Sequence, residues 1–333
     1  MRVPLNHWYP VLEPREVRGK PVTVERLGVK LVFWRSSAGL LHAQRDRCPH
    51  LGASLGTGRV VDNALVCPFH GFAFGPDGQC VKVPALGREG RIPKGLCAET
   101  FVVREAHNLV WLWWGDVKAA ADSLPFFAEL ADGWHHHSFN TEWPVHYTRA
   151  IENQMDVAHL PFVHHNTIGA GGRTVIEGPH VEVDESVIRV WATARKDDGS
   201  PLRSAEELEQ AARQRPPTQV LQLPGCWLLN ISPAFKLFLA FVPVNERCTR
   251  YYLRSYWRFG PRWLAPLIGW LISLSNRYIL SQDYAVVVTQ TPANSSDARG
   301  DQLIGADRAI VQFRRVHAGL LERSDAATVE STP

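Results

Sequence analysis

Over the first third of the chain, apolar and β-branched residues come in short runs closed by Gly, Pro, Asn or Asp, the pattern of strands and tight turns. Val22–Leu27, Lys30–Arg35 and Leu40–Gln44 are predicted strands, and Ala64–Cys67 is a further short apolar run. Phe101–Glu105 and Leu109–Trp114 flank Ala106-His-Asn108, which predicts a hairpin. The run Trp111-Leu-Trp-Trp114 reads as core or domain contact. These elements predict a small all-β domain over residues 1–118. Asp116 to Trp134 is Ala-rich, then Leu124-Pro-Phe-Phe127, and reads as a connector.

Longer elements are predicted over residues 119–333, the second domain. Its His135-His-His137 invites a metal reading, but three consecutive side chains of a regular element cannot face one point, so a strand start is expected. Thr174–Val183 and Ser186–Ala194 predict a hairpin around Asp184-Glu185, and Ser204–Arg213 a polar, exposed helix. Val220–Leu223, Trp227–Ile231, Phe235–Val244 and Thr249–Phe259 predict strands of one antiparallel sheet. Trp227, Phe235, Phe238, Phe241 and Tyr256 are candidates to line an apolar cavity, with core packing the default for each. A long helix is predicted from about Ala265 to Thr289, ending before Pro292. An amphipathic helix follows from about Ala306 to Glu322, and the small, polar tail after Ser324 is expected to fray.

With 45% hydrophobic and 21% charged residues among 333, the chain has ample apolar material for a core. A net charge of +3, without a Lys/Arg run interleaved with aromatics, argues against nucleic acid as a partner. Cys80, Cys97, Cys226 and Cys248 show no disulfide framework, and Met-Arg-Val-Pro-Leu-Asn-His-Trp lacks a secretory apolar segment; both predict a reducing, cytoplasmic setting. Trp263–Leu274 is apolar, but it is short for a membrane span and carries Pro266 and Gly269. The expectation is a buried helix start or pocket wall. The alternative is a peripheral membrane patch through which an apolar substrate is collected.

Two Cys-then-His clips, Cys48-Pro-His50 and Cys67-Pro-Phe-His70, are separated by sixteen residues. Two thiolates and two imidazoles suit either a structural zinc ion or a Rieske [2Fe–2S] cluster, in which two His replace two Cys on one iron. Zinc fingers usually pair Cys with Cys and His with His along the chain, whereas each clip here can give one ligand to each iron. The Pro and Gly residues of Cys48–Gly52 and Cys67–Gly71 suit rigid loops that approach a cluster closely. The stretch is similar to the cluster motif of Rieske-type non-haem iron oxygenases, Cys-x-His followed by Cys-x-x-His. Leu51 stands where that family often has Arg, and Phe72 where it often has Trp; neither position is a ligand.

Asn153, Asp156 and His159 are spaced by three and are expected on one face of a helix ending at Leu160, because Pro161 disfavours helix there. His164 would point away from His159 on a continuous helix, and a break at Pro161 lets it turn back toward one ion. Two imidazoles are two thirds of a 2-His-1-carboxylate triad, the site of non-haem Fe(II) oxygenases. Packing or surface histidines are the alternative for these residues taken alone. The pattern Asn-x-x-Asp-x-x-His-x4-His resembles the catalytic-domain motif of the same family. Its members take the third ligand from a late helix, and Asp283, in Gln282-Asp-Tyr-Ala-Val-Val-Val288, is the best match. Ile279, Leu280, Val286 and Val287 argue that Asp283 is buried, where a carboxylate needs a cation or donors. Asp156 and Asn153 are the catalytic candidates beside the metal. In the family this Asp hydrogen-bonds a His ligand of the iron and reaches a cluster His of the neighbouring subunit. Gly169-Ala-Gly-Gly-Arg-Thr174 looks like half a dinucleotide fingerprint, but it follows no βα unit and has Thr at the third Gly position. A flexible loop near the active site is expected instead.

The resemblance spans nearly the whole chain. It implies an α+β fold: a small all-β Rieske domain joined to a helix-grip (START/Bet v 1-like) catalytic domain with an antiparallel sheet and long C-terminal helices. It implies a [2Fe–2S] cluster on Cys48, His50, Cys67 and His70, and Fe(II) on His159, His164 and Asp283, with O₂ as co-substrate. It also implies a homotrimer in which electrons pass from one subunit's cluster to the next subunit's iron. No flavin or nicotinamide motif is visible, so NAD(P)H is expected to act through a separate flavin reductase or ferredoxin. The implied reaction inserts oxygen into a C–H bond, which on a methoxy or N-methyl group ends in loss of formaldehyde. Chain length suits the monooxygenase and demethylase branch, and Gln282-Asp283 through Ala306–Arg315 looks like relatives that oxidise bulky polycyclic compounds. A sterol or terpenoid is the expected substrate class, and a small aromatic compound the alternative. The rival class is a non-catalytic Rieske electron carrier.

Overall fold

The computed structural model describes residues 1–330. Two compact units are present, Val3–Leu124 and the chain from Pro125 onward.

The first unit runs through β1 (His7–Leu12), β2 (Val22–Arg26), β3 (Val29–Arg35), β4 (Leu41–Arg45), β5 (Arg59–Val61) and β6 (Ala64–Val66). It continues through β7 (Ala73–Phe74), β8 (Cys80–Lys82), β9 (Thr100–Phe101), β10 (Val103–Ala106) and β11 (Leu109–Trp114). Three antiparallel sheets result, ordered β1-β11-β10, β2-β3-β4-β9 and β5-β6-β7-β8. The hairpin expected around Ala106-His-Asn108 is present: His107 and Asn108 take φ of 54° and 59°, the left-handed pair that a tight two-residue turn needs. Trp111 and Trp113 are buried. Strands β1, β5, β7 and β8 were not expected. Three of them have only two or three residues, too few to alternate, and β1 is buried along nearly its whole length. A core of Val32, Trp34, Leu55, Leu65, Phe74 and Val83 packs around Cys48 and Cys67.

The second unit contains β12 (His135–Trp143), α1 (Tyr147–Met155), α2 (Leu160–Val163), β13 (Val175–Asp184), β14 (Val187–Arg195) and α3 (Ala205–Arg213). After these come β15 (Gln219–Gln222), β16 (Cys226–Ser232), β17 (Phe235–Asn245), β18 (Cys248–Trp257), α4 (Ala265–Val287) and α5 (Arg308–Glu330). The strands form one antiparallel sheet ordered β12-β18-β17-β16-β15-β14-β13. The first strand therefore pairs with the last, and the rest follow as a meander. His135 begins β12, as the strand reading of the His run required. Helix α4 packs on β12 and β18, α5 on β13 and β14, and α1 on β17 and β18.

Four expectations fail here. The helix carrying Asn153 stops at Met155, so Asn153, Asp156 and His159 do not share one helical face. Asp156 is its extended C-cap (ψ 130°), and His159 is instead the N-cap of α2. Pro161 lies in the first turn of α2, where its missing N–H has no helical partner to lose, so it opens a helix rather than closing one. Helix α5 runs to Glu330, because Ala326-Ala-Thr-Val continues the helix after Ser324; residues 331–333 lie outside the described residues. Of the aromatic candidates, Phe238, Phe241 and Tyr256 follow the core-packing default, packed on Phe127, Tyr251 and Trp134 respectively. Lastly, Trp263–Leu274 is not a buried helix start, since Trp263, Leu267, Trp270, Leu271 and Leu274 are all exposed, although Ile272 does form part of a pocket wall.

Candidate functional site

The two Cys/His clips fold into the same turn. Gly52 N–H donates to Cys48 O (2.8 Å), and Gly71 N–H donates to Cys67 O (3.0 Å). Cys48 N–H donates to Ala53 O (2.7 Å) and Cys67 N–H to Phe72 O (2.8 Å). Gly52 and Gly71 take φ of 77° and 71°, conformations that a side chain would strain. Buried Asp46 holds the first clip by accepting from Thr23 Oγ1, Ser54 Oγ and Gly56 N. The cysteines are buried and the histidines exposed, with the two imidazole centroids 4.8 Å apart. Phe72 stacks on His50 at 4.5 Å and 11°, so the Phe still presents a ring to the clip, while Leu51 points to solvent. Burial pushes the Cys48 thiol pKa up. Two inward sulfurs and two outward imidazoles, on matched loops, fit the donor set of a Rieske cluster.

In the second unit, His159, His164 and Asp283 converge. Each offers one ligand atom, and these atoms lie within 4.8 Å of one another. His164 Nε2 is 3.0 Å and His159 Nε2 3.5 Å from Asp283 Oδ1. Asp283 is 3% exposed, yet its Oδ1 has no hydrogen-bond partner. A buried carboxylate oxygen without a donor, facing two imidazole nitrogens, is an environment that a cation completes. The short helix α2 between the two histidines provides the reversal, and Gly169 closes the turn behind them by donating to His164 O (3.0 Å). A Cβ at Gly169 would sit 1.8 Å from Leu160 O, so only glycine fits. The Gly169–Thr174 stretch is thus a loop beside the site, and the neighbouring Ile168 lines its cavity.

Hydrogen bonds set the orientation of His164. Its Nδ1 donates to Gln282 Oε1 (2.9 Å), which leaves the Nε2 lone pair facing Asp283. Gln282 is itself fixed: Oε1 also accepts from Thr167 Oγ1 (2.9 Å), and Nε2 donates to Asn166 Oδ1 (2.7 Å). Burial lowers the His164 pKa, but the nearby Asp283 carboxylate and the hydrogen bond to Gln282 outweigh it and the net shift is upward. Asp156 Oδ2 lies 3.5 Å from His159 Nδ1, and Asp156 Oδ1 accepts from Ala158 N (2.7 Å). Burial raises the Asp156 pKa, yet the contact with His159 prevails and holds it low. Asn153 is placed on α1 with Nδ2 buried and unpartnered; it is not among the residues that meet at the triad or line the cavity.

A cavity of about 540 Å³ opens at the triad. Leu229, Leu237, Leu253, Ile272 and Ile279 supply much of its wall, with Trp227 and Phe235 from the predicted aromatic set. Apart from Asp156 and the triad itself, its polar groups are neutral (Gln219, Asn276, Thr218 and Ser275 among them), and no Lys or Arg is among the lining residues.

Residues 7–102 match the model of the Rieske [2Fe-2S] domain, and residues 143–323 match that of the vanillate O-demethylase oxygenase C-terminal domain. The chain belongs to the Rieske oxygenase family. Among Rieske oxygenase relatives, the vanillate O-demethylase oxygenase subunit of Pseudomonas sp. (strain HR199 / DSM 7063) is 31% identical over 238 residues, covering 66% of this chain and 64% of that protein. Protein TIC 55, chloroplastic, of Pisum sativum is 31% identical over 200 residues, covering 59% of this chain and 36% of that protein. The chain thus spans between about a third and two thirds of the length of these relatives. The crystal structure of dicamba monooxygenase bound to dicamba shares the fold, with a TM-score of 0.80 at 23% identity over 98% of this chain and 100% of that one. Both expected layers of the family fold are therefore present, the all-β Rieske unit and the antiparallel sheet with C-terminal helices. Gln282, Thr167 and Asn166 carried no signal of their own in the sequence. Only the position of Gln282 beside Asp283 in an apolar run hinted at it.

Proposed function

We propose that this chain is the terminal oxygenase of a multicomponent system, taking electrons from a separate NAD(P)H-dependent reductase and oxidising a C–H bond of a bulky apolar substrate. A Rieske cluster on Cys48, Cys67, His50 and His70 would supply single electrons, and an Fe(II) on His159, His164 and Asp283 would supply O₂ activation. The observation that carries the reading is the unsatisfied Asp283 Oδ1 facing both imidazoles at the floor of an apolar cavity. The chain's own residues position and exclude. Gln282 holds the His164 tautomer, ionised Asp156 stands against His159 Nδ1, and the aliphatic wall keeps water from the substrate. Asp156 also serves as the bridge to a cluster histidine of a neighbouring copy in a homotrimer, and Asn153 supports the segment that carries it.

The wall supports a sterol- or terpenoid-sized substrate. A cavity of this volume with no Lys or Arg in its wall gives a substrate carboxylate no side-chain counter-charge. Hydroxylation and oxidative demethylation are both open to this site. The relative named vanillate O-demethylase oxygenase subunit favours a second reading, demethylation of a small aromatic ether. Iron and labile sulfide analysis of the purified protein, with product analysis after incubation with sterols or aromatic ethers, a surrogate reductase and NADH, tests both. About three Fe and two sulfide per chain are expected, against about two Fe for an electron carrier. A chain holding only two Fe and consuming no O₂ with any substrate would end the oxygenase reading.

A further inference from the structure

Helix α4 carries two faces with different uses. One lines the cavity through Ile272, Asn276, Ile279 and Asp283. The other is apolar and exposed: Leu267, Trp270, Leu271, Leu274 and Tyr278 fall within an arc of about 100° on a helix of 3.6 residues per turn. Trp263, 77% exposed in the short turn before the helix, continues the same patch. Exposed large side chains gathered on one helix face mark a surface that meets something apolar.

Charge identifies the partner. Between Trp257 and Asp283 the sequence contains no Asp or Glu, but it contains Arg258, Arg262 and Arg277. Among the described residues none of these three is ion-paired. Arg258 lies over the Trp134 ring at 4.1 Å and Arg277 over Phe139 at 4.5 Å, so both guanidiniums are held at fixed places. Arg262 opens the turn before the helix, and Arg277 borders the apolar stripe. Two Trp and a Tyr on the stripe suit the headgroup boundary, where an aromatic body is apolar and its polar edge stays wet. No helix among the described residues is long and apolar enough to cross a membrane, so the contact is along the surface.

We propose that the outer face of α4 with its preceding turn is a docking surface for a bilayer containing anionic phospholipid, the stripe entering the acyl boundary and the arginines resting on phosphates. The bilayer then lies against the helix that walls the cavity. The contact stands independently of the oxygenase reading, because it is measured without turnover and either can fail alone.

The test sediments the full chain with vesicles of phosphatidylcholine, alone or mixed equally with phosphatidylglycerol. Binding is expected to be several-fold greater on the mixed vesicles and to fall in about 1 M salt, where the screening length is about 3 Å. Lipids brominated on the acyl chain are expected to quench tryptophan fluorescence. Leu271→Glu with Leu274→Glu, both at exposed positions, is expected to lower binding about tenfold with an unchanged circular dichroism spectrum. Trp270→Ser serves as a second variant should the double change disturb folding. No sedimentation of the wild type with either vesicle overturns the proposal, as does full binding by the variants. So does a wild-type oligomer that the glutamates dissociate while lipid goes unbound, since a second copy would then cover the stripe.

Discussion

Gln282 shows how much one uncharged side chain can decide. His164 presents Nε2 to Asp283 because Gln282 takes the proton-bearing Nδ1, and Gln282 has no freedom to turn because Thr167 and Asn166 hold both ends of its amide. Gln282→Leu is expected to weaken metal binding at the triad about 10- to 100-fold, the usual cost of losing a partner to a ligating histidine. Titration with Fe(II) or Co(II) would show this, with cluster absorbance unchanged. At this scale residue type and spacing singled out the two clips, the histidine pair and the late Asp, and the structure brings the last three together. It was silent on Gln282, because a lone amide in a helix has no pattern to betray it. It misjudged how Asn153, Asp156 and His159 are arranged, since a spacing of three implies a shared face only while the helix lasts, and α1 stops at Met155.

Helix α1 is held by a network of charged side chains. Buried Glu152 accepts from Arg149 Nη1 (2.9 Å) and Arg314 Nε (2.6 Å), and Asp301 accepts from both guanidiniums, which ties α1 to α5. Glu152→Ala leaves the buried Arg149 and the partly buried Arg314 guanidiniums facing one carboxylate. A loss of about 3 kcal/mol in unfolding free energy is expected, read by denaturant titration. Among elements, strands of four or more residues were legible apart from β1, while of the two- and three-residue strands β5, β7 and β8 were not, because alternation needs length. The period of α4 was legible, but its environment was not. A helix apolar on most sides predicts burial, and the exposure of Trp263 and Trp270 shows that composition alone does not name the medium around a helix.

For the molecule as a whole, pH sensitivity follows from a buried histidine. His317 Nε2 lies 2.6 Å from the Tyr147 hydroxyl, and burial, aided by nearby His146, pushes its pKa down to about 4. In the unfolded chain the value is about 6.5. Between these limits the unfolded state holds more protons, so the stabilisation is complete above about pH 6.5. It declines as pH falls, with about 3 kcal/mol lost by pH 4. His146, also lowered by burial, adds in the same direction. The thermal midpoint is expected to fall steadily from pH 6.5 to 4, and His317→Gln to flatten that slope.

One feature of the triad bears on how the protein is made. His164 and Gln282 are 118 positions apart, whereas the two imidazoles leave the ribosome almost together. A nascent chain that has exposed only the histidines can hold metal weakly at best, because the carboxylate has not yet been synthesised. Retention of a metal at these three residues would thus become possible only once α4 has been made and has settled, so a product truncated before that helix is expected to bind no metal there.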